Sequence, residues 1–124
     1  MDVRNINVIA LAYLGDSVFE VYVRNKLINS GIYKVDLLQK RAVYYVSAKG
    51  QARILRNLID NNFLTEEELE VVHRGRNYKR SAHPKNTDIV TYKMSTGFEA
   101  LIGFLYLKND NARINEIFEE IGVA

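Results

Sequence analysis

Apolar residues recur along the chain at helical rather than alternating spacing, and a single proline, Pro84, interrupts it. That pattern predicts helices throughout and no sheet. The run NVIALAYLGDSVFEVYVRNKL predicts a first helix over about residues 5–29, stopped by Ser30-Gly31. A second helix is expected from Asp36 to about Tyr45. Ser47 opens a third, reaching Asn61, with Ile54, Leu55, Leu58 and Ile59 as its apolar stripe. Thr65-Glu66-Glu67-Glu68 has the form of a capping box and starts a fourth helix through about Arg74. Residues 75–88 are polar and basic and contain HPKN, which predicts an exposed loop long enough to carry function. Two more helices, Ile89 to Leu107 and Asp110 to Ile121, complete an all-α chain.

Two acids break the apolar pattern. From Val8 to Val23 the only charged side chains are Asp16 and Glu20, and Gly15 stands beside Asp16. A helix apolar all round is usually buried. An ionised carboxylate there needs a compensating cation or hydrogen bonds. Glu99 raises the same problem between Phe98 and Ala100-Leu101-Ile102. If the two helices cross near these points, the carboxylates converge, and one or two carboxylates plus waters make a magnesium or manganese site. The competing reading is local. Ser17-Val18-Phe19-Glu20 and Thr96-Gly97-Phe98-Glu99 both fit capping boxes, which would make Gly15-Asp16 a kink between two helices. Spacing alone favours that second reading.

Composition narrows the picture. A length of 124 residues suits one domain, expected to span 1–124. The absence of cysteine excludes thiol catalysis, disulfide scaffolds and cysteine-ligated zinc. No leader pattern and no tract long enough to cross a bilayer are present, so a cytoplasmic location without membrane contact is expected. Net charge is only +2, but its distribution is uneven. Between Val71 and Thr87 no acid occurs, whereas Arg74, Arg76, Lys79, Arg80 and Lys85 all do. Arginines interleaved with small and amide side chains, with Tyr78 nearby, point to phosphate contacts and hence to RNA binding. The alternative is an ordinary solvated face. His73 and His83 lie in the same segment and are too isolated for a metal cluster.

These residues carry a resemblance. LAYLGDSVFEVYV resembles the ribonuclease III signature, in which an acid, an aromatic and Leu-Gly-Asp precede an apolar helix. FEALIGFLYL resembles the same family's second acidic motif. With YVSAKGQA, RGRN and PKNTDIVTYKM between them, the chain is similar to the short Mini-ribonuclease III branch, which has no separate double-stranded-RNA-binding domain. The resemblance implies a helical bundle acting as a homodimer and Mg²⁺-dependent endonucleolytic cleavage of double-stranded RNA, with Mn²⁺ as a substitute. It also implies maturation of the large-subunit (23S) ribosomal RNA precursor. Whether a ribosomal protein is a further partner stays open. Carried over by position, Asp16 and Glu99 are the catalytic metal ligands, and Tyr13 belongs to the dimer interface. The relatives' two other acids fall at Ala12 and Thr96, so the site is expected to be a reduced one. That loss supports a competing reading as an inactive RNA-binding or ribosome-assembly module. A helical dimerisation domain without a nucleic-acid role is a third reading, disfavoured by the basic segment.

Overall fold

The computed structural model describes residues 1–79 and 88–123. A 3₁₀ turn, Val3–Asn5, precedes six helices: α1 (Val8–Asn29), α2 (Val35–Val46), α3 (Ala48–Asp60), α4 (Glu66–Arg76), α5 (Ile89–Leu107) and α6 (Asn111–Ile121). The described residues contain no strand, as the helical spacing predicts. The short Val3–Asn5 turn carries no periodic signal; it is capped by Asp2, whose carboxylate accepts from the Arg4 N–H at 3.1 Å.

Helix α5 is the axis around which the others pack. Every residue from Met94 to Leu105 is buried except Glu99. Helices α1, α3, α4 and α6 all contact it, which is why its sequence is apolar on every face. Phe98 meets Phe19 of α1 edge-to-face, with ring centroids 4.9 Å apart, and Phe118 of α6 closes on Phe19 at 5.5 Å. Leu11, Leu55, Val72, Leu101 and Ile114 fill the rest of the core.

Two of the tightest contacts are made by glycines on facing helices. A Cβ on Gly15 would collide with the backbone of Glu99, and one on Gly103 with the carbonyl of Leu11, so α1 and α5 cross backbone to backbone. A Cβ on Gly75 would lie 2.8 Å from the Gly97 Cα, which brings α4 against α5 in the same manner. The expected kink at Gly15-Asp16 does not occur, because α1 runs unbroken through it. Nor do Ser17 and Thr96 cap anything, since both lie inside continuous helices. Five of the six helices have side-chain N-caps, Asn7, Ser47, Thr65, Asp88 and Asp110, each accepting a backbone N–H of the first turn, and α2 starts from Lys34 without one. Only the Thr65–Glu68 capping box forms as expected, with Glu68 returning to the Thr65 N–H at 2.9 Å.

Glu68 also anchors the far side of the bundle. Its side chain is buried, and Arg113 of α6 grips both oxygens at 2.8 Å, through Nε and Nη2. The guanidinium donates to the Phe63 carbonyl at 2.7 Å and lies over the Phe63 ring. Burial works to raise the Glu68 pKa. The Arg113 hydrogen bonds, the Thr65 N–H and the guanidinium charge outweigh it, leaving the carboxyl below its ordinary 4.5.

Candidate active site

The α1–α5 crossing sets the backbone of Glu99 against Gly15, one residue from Asp16. The two acids singled out by the sequence therefore stand at one crossing, on facing helices. Their surroundings differ from those expected. Asp16 is exposed rather than buried, so no desolvation penalty calls for a cation. The reason is geometric: Gly15 and Phe19 take the face of α1 turned to α5, and Asp16 falls beside it. Glu99 is half-buried. Glu20 forms a surface pair with Arg24 of the next turn, 2.7 Å apart.

The two positions where the resemblance implies further acids are closed off. Ala12 is 4% exposed and belongs to the core. Thr96 is buried and its hydroxyl donates to the Tyr92 carbonyl at 3.0 Å. Among the described residues no group of three or more His, Asp or Glu side chains is gathered to hold a metal. With both acids as donors, the set at the crossing would be two hard carboxylates, one of them open to water. That set fits a magnesium-like ion, which dehydrates reluctantly and commonly keeps several waters. An exposed Asp16 suits such an ion better than the buried one that the apolar sequence suggests.

A residue not singled out from the sequence belongs to this place. Gln51 of α3 is 1% exposed, and its Nε2 donates to the Val46 carbonyl at 3.1 Å and reaches Glu99 Oε2 at 3.4 Å. A signal for it exists. Positions 51, 54, 55 and 58 form one buried stripe, and only Gln51 in it is polar.

The basic segment is described only in part. Helix α4 continues through Arg76, so Gly75 and Arg76 are helical instead of opening the loop. Arg74 is half-buried and donates to the carbonyls of Arg4 and Ile6, tying the N-terminal turn to α4. Arg76 packs its stem against Gly97 of α5, and Lys79 is exposed. Arg80 and Lys85 lie outside the described residues. Tyr13 is 83% exposed on α1, one turn before Asp16.

A model of the ribonuclease III domain matches residues 9–110, a span that holds both acidic motifs. The chain belongs to the ribonuclease III family. Among its relatives, the Mini-ribonuclease 3 of Desulfitobacterium hafniense is 47% identical over 118 residues, covering 95% of this chain and 73% of that protein. The Mini-ribonuclease 3 of Brevibacillus brevis is 48% identical over 114 residues, covering 92% and 84%. A crystal structure of a Fusobacterium nucleatum protein matches the fold with a TM-score of 0.84 at 32% identity, over 97% of this chain and 94% of that one. The ribonuclease III family acts on double-stranded RNA and uses divalent metal ions. The chain is thus an endoribonuclease, and the reading as an inactive module falls away. No described helix is long and apolar enough to cross a membrane.

Proposed function

We propose that Asp16 and Glu99 hold a Mg²⁺ ion, replaceable by Mn²⁺, during hydrolysis of double-stranded RNA. The observation that supports this is the glycine-mediated crossing, in which the Glu99 backbone lies against Gly15, the residue before Asp16. When bound, the ion supplies charge stabilisation at the scissile phosphate and a more acidic water. Asp16, open to solvent, stands where a duplex can approach. Glu99 is held by the rigid core helix, which fixes the ligand without loop motion. Cleavage leaves 5′-phosphate and 3′-hydroxyl ends.

Arg76 and Lys79, continued in the chain by Arg80 and Lys85, contact phosphates of the duplex. Arg74 stands with them, although its two backbone bonds give it a structural duty as well. A-form RNA is then read by shape, through phosphates and 2′-hydroxyls. Two copies cut the two strands. Support comes from large apolar side chains exposed on one chain: Tyr13 and Val21 on α1, and Val35, Leu37 and Val43 on α2, a helix that buries only Ala42. Tyr13 sits in this interface. The proposed substrate is the 23S ribosomal RNA precursor, in the cytoplasm, with a ribosomal protein as a further partner.

The deciding experiment incubates a long RNA duplex with Mg²⁺ and the Asp16→Asn or Glu99→Gln protein. Each should remain folded and lose cleavage by on the order of 10²–10³-fold, the scale of one preorganised charge-stabilising group. Wild-type rates in either would overturn the site. Arg76→Gln with Lys79→Gln should lower the salt slope of duplex binding by about 1 for each phosphate that the variant no longer neutralises. An unchanged slope would return the segment to a solvated face.

A further inference from the structure

Gln51 is the one polar member of the buried α3 stripe, and its burial has a cost. A buried amide atom without a partner forfeits its hydration with no hydrogen bond in return. Gln51 Oε1 is the buried side-chain atom, among the described residues, that finds no hydrogen bond within the protein. An apolar residue of the same length would fill the stripe without that cost, so packing alone does not explain a glutamine.

Its amide orientation is set by its partners. Nε2 faces two oxygens, Val46 O at 3.1 Å and Glu99 Oε2 at 3.4 Å. Turning the amide over would oppose Oε1 to both acceptors. The backbone behind it is equally fixed. A Cβ on neighbouring Gly50 would collide with the carbonyls of Tyr44 and Tyr45, so the first turn of α3 lies hard against the end of α2. Ser47 caps the same turn by accepting the Gly50 N–H at 3.1 Å. Gln51 therefore projects from a rigid corner, tethered to Val46, with a donor presented to Glu99.

We propose that Gln51 is a positioning residue: it holds the Glu99 carboxylate in the rotation that receives the divalent ion. This rests on the reading of Glu99 as a metal ligand. Partners of this kind, which orient a ligand without touching the ion, typically change metal affinity about 10–100-fold when removed. The bond is long and acts on orientation rather than on charge, since the amide is neutral.

The test is Gln51→Met, which keeps the length of the side chain and removes both the donor and the orphaned acceptor. Its melting temperature should equal or exceed that of the wild type. Mn²⁺ binding, followed by titration calorimetry in the absence of RNA, should weaken about 10–100-fold. The Mg²⁺ concentration for half-maximal cleavage should rise with it, and saturating Mg²⁺ should restore most of the rate. If the methionine protein does not fold, Gln51→Leu carries the same comparison. Glu99→Gln is the parallel control. Wild-type Mn²⁺ affinity in Gln51→Met, with binding lost in Glu99→Gln, would overturn the positioning role and leave the metal site standing. Wild-type affinity in both would overturn the metal site and the positioning role together. A lowered melting temperature with unchanged Mn²⁺ affinity would make Gln51 a structural residue only.

Discussion

Glu68 and Glu99 are both acids set into apolar helices, and the fold treats them in different ways. Glu68 is enclosed and gripped by a guanidinium at both oxygens, with a backbone N–H added. Glu99 is half-buried and is met by the neutral amide of Gln51 at 3.4 Å. A buried carboxylate gripped at both oxygens by a half-buried guanidinium is committed to structure, because its charge is neutralised where it sits. A neutral amide does something else: it orients a carboxylate without neutralising it. The double grip on Glu68 marks an acid that holds the fold, whereas the Gln51 contact at Glu99 adds orientation and no charge of its own.

The largest expected effect comes from breaking the structural acid's pair. Arg113→Met leaves Glu68 buried without its cation and should cost about 3–5 kcal/mol in urea unfolding. Cleavage per folded molecule should be unchanged. The mirror-image experiment is Glu99→Gln, which removes activity yet should change stability by about 1 kcal/mol or less. If Glu99→Gln destabilised the protein as strongly as Arg113→Met, the contrast would fail and Glu99 would be a second structural acid.

Gly15→Ala comes next. The atom in its way is a backbone carbonyl on α5, which cannot rotate aside as a side chain would. The cost should reach about 3 kcal/mol, the upper end for overpacking, and activity should fall because the acids' helices are forced apart. Gly31→Ala is the counterpart. It meets no neighbour and suffers only its positive φ of +100°, so about 1–2 kcal/mol should be lost with activity intact. Equal losses of activity in both would mean that the crossing has no special tie to the site.

How much of this is legible in the sequence follows from the same contrast. Helix positions can be read because each apolar stripe and cap is local: α5 spans Ile89–Leu107 and α1 ends at Asn29, as expected. The two acids can be found because they interrupt those stripes. What stays hidden is which face each acid occupies. Asp16 reads as buried because apolar helix surrounds it, yet its face is set by where Gly15 meets α5. The Ser17–Glu20 and Thr96–Glu99 spacings read as caps, because a four-residue match cannot tell a helix start from a helix interior. Glu68 is the reverse case: its cap is legible, but its Arg113 partner lies 45 residues away and no local pattern links them. Gln51 is visible as a polar member of an apolar stripe, but its meaning depends on Glu99 lying opposite.

The smallest expected effect is the pH dependence of stability, and it tests the committed acid from the other side. The Glu68 carboxyl lies below 4.5 in the folded protein; burial works to raise it, and the Arg113 and Thr65 hydrogen bonds outweigh that. A carboxyl depressed by folding contributes stability that is present above its unfolded pKa and is lost as pH falls through its folded one. Asp88, held down by the Thr91 N–H and hydroxyl, adds a weaker contribution of the same sign from an exposed position. The urea midpoint should therefore be level above about pH 5 and decline on the acid side. In Arg113→Met the chief hydrogen bonds holding Glu68 down are gone and burial acts with less opposition. Protonation then relieves an uncompensated buried charge, so the acid-side decline should flatten. A Glu99→Gln protein should retain the wild-type decline, since the substitution leaves the Glu68–Arg113 pair intact. If the decline vanished with Glu99→Gln and survived Arg113→Met, the roles assigned to the two acids would be reversed.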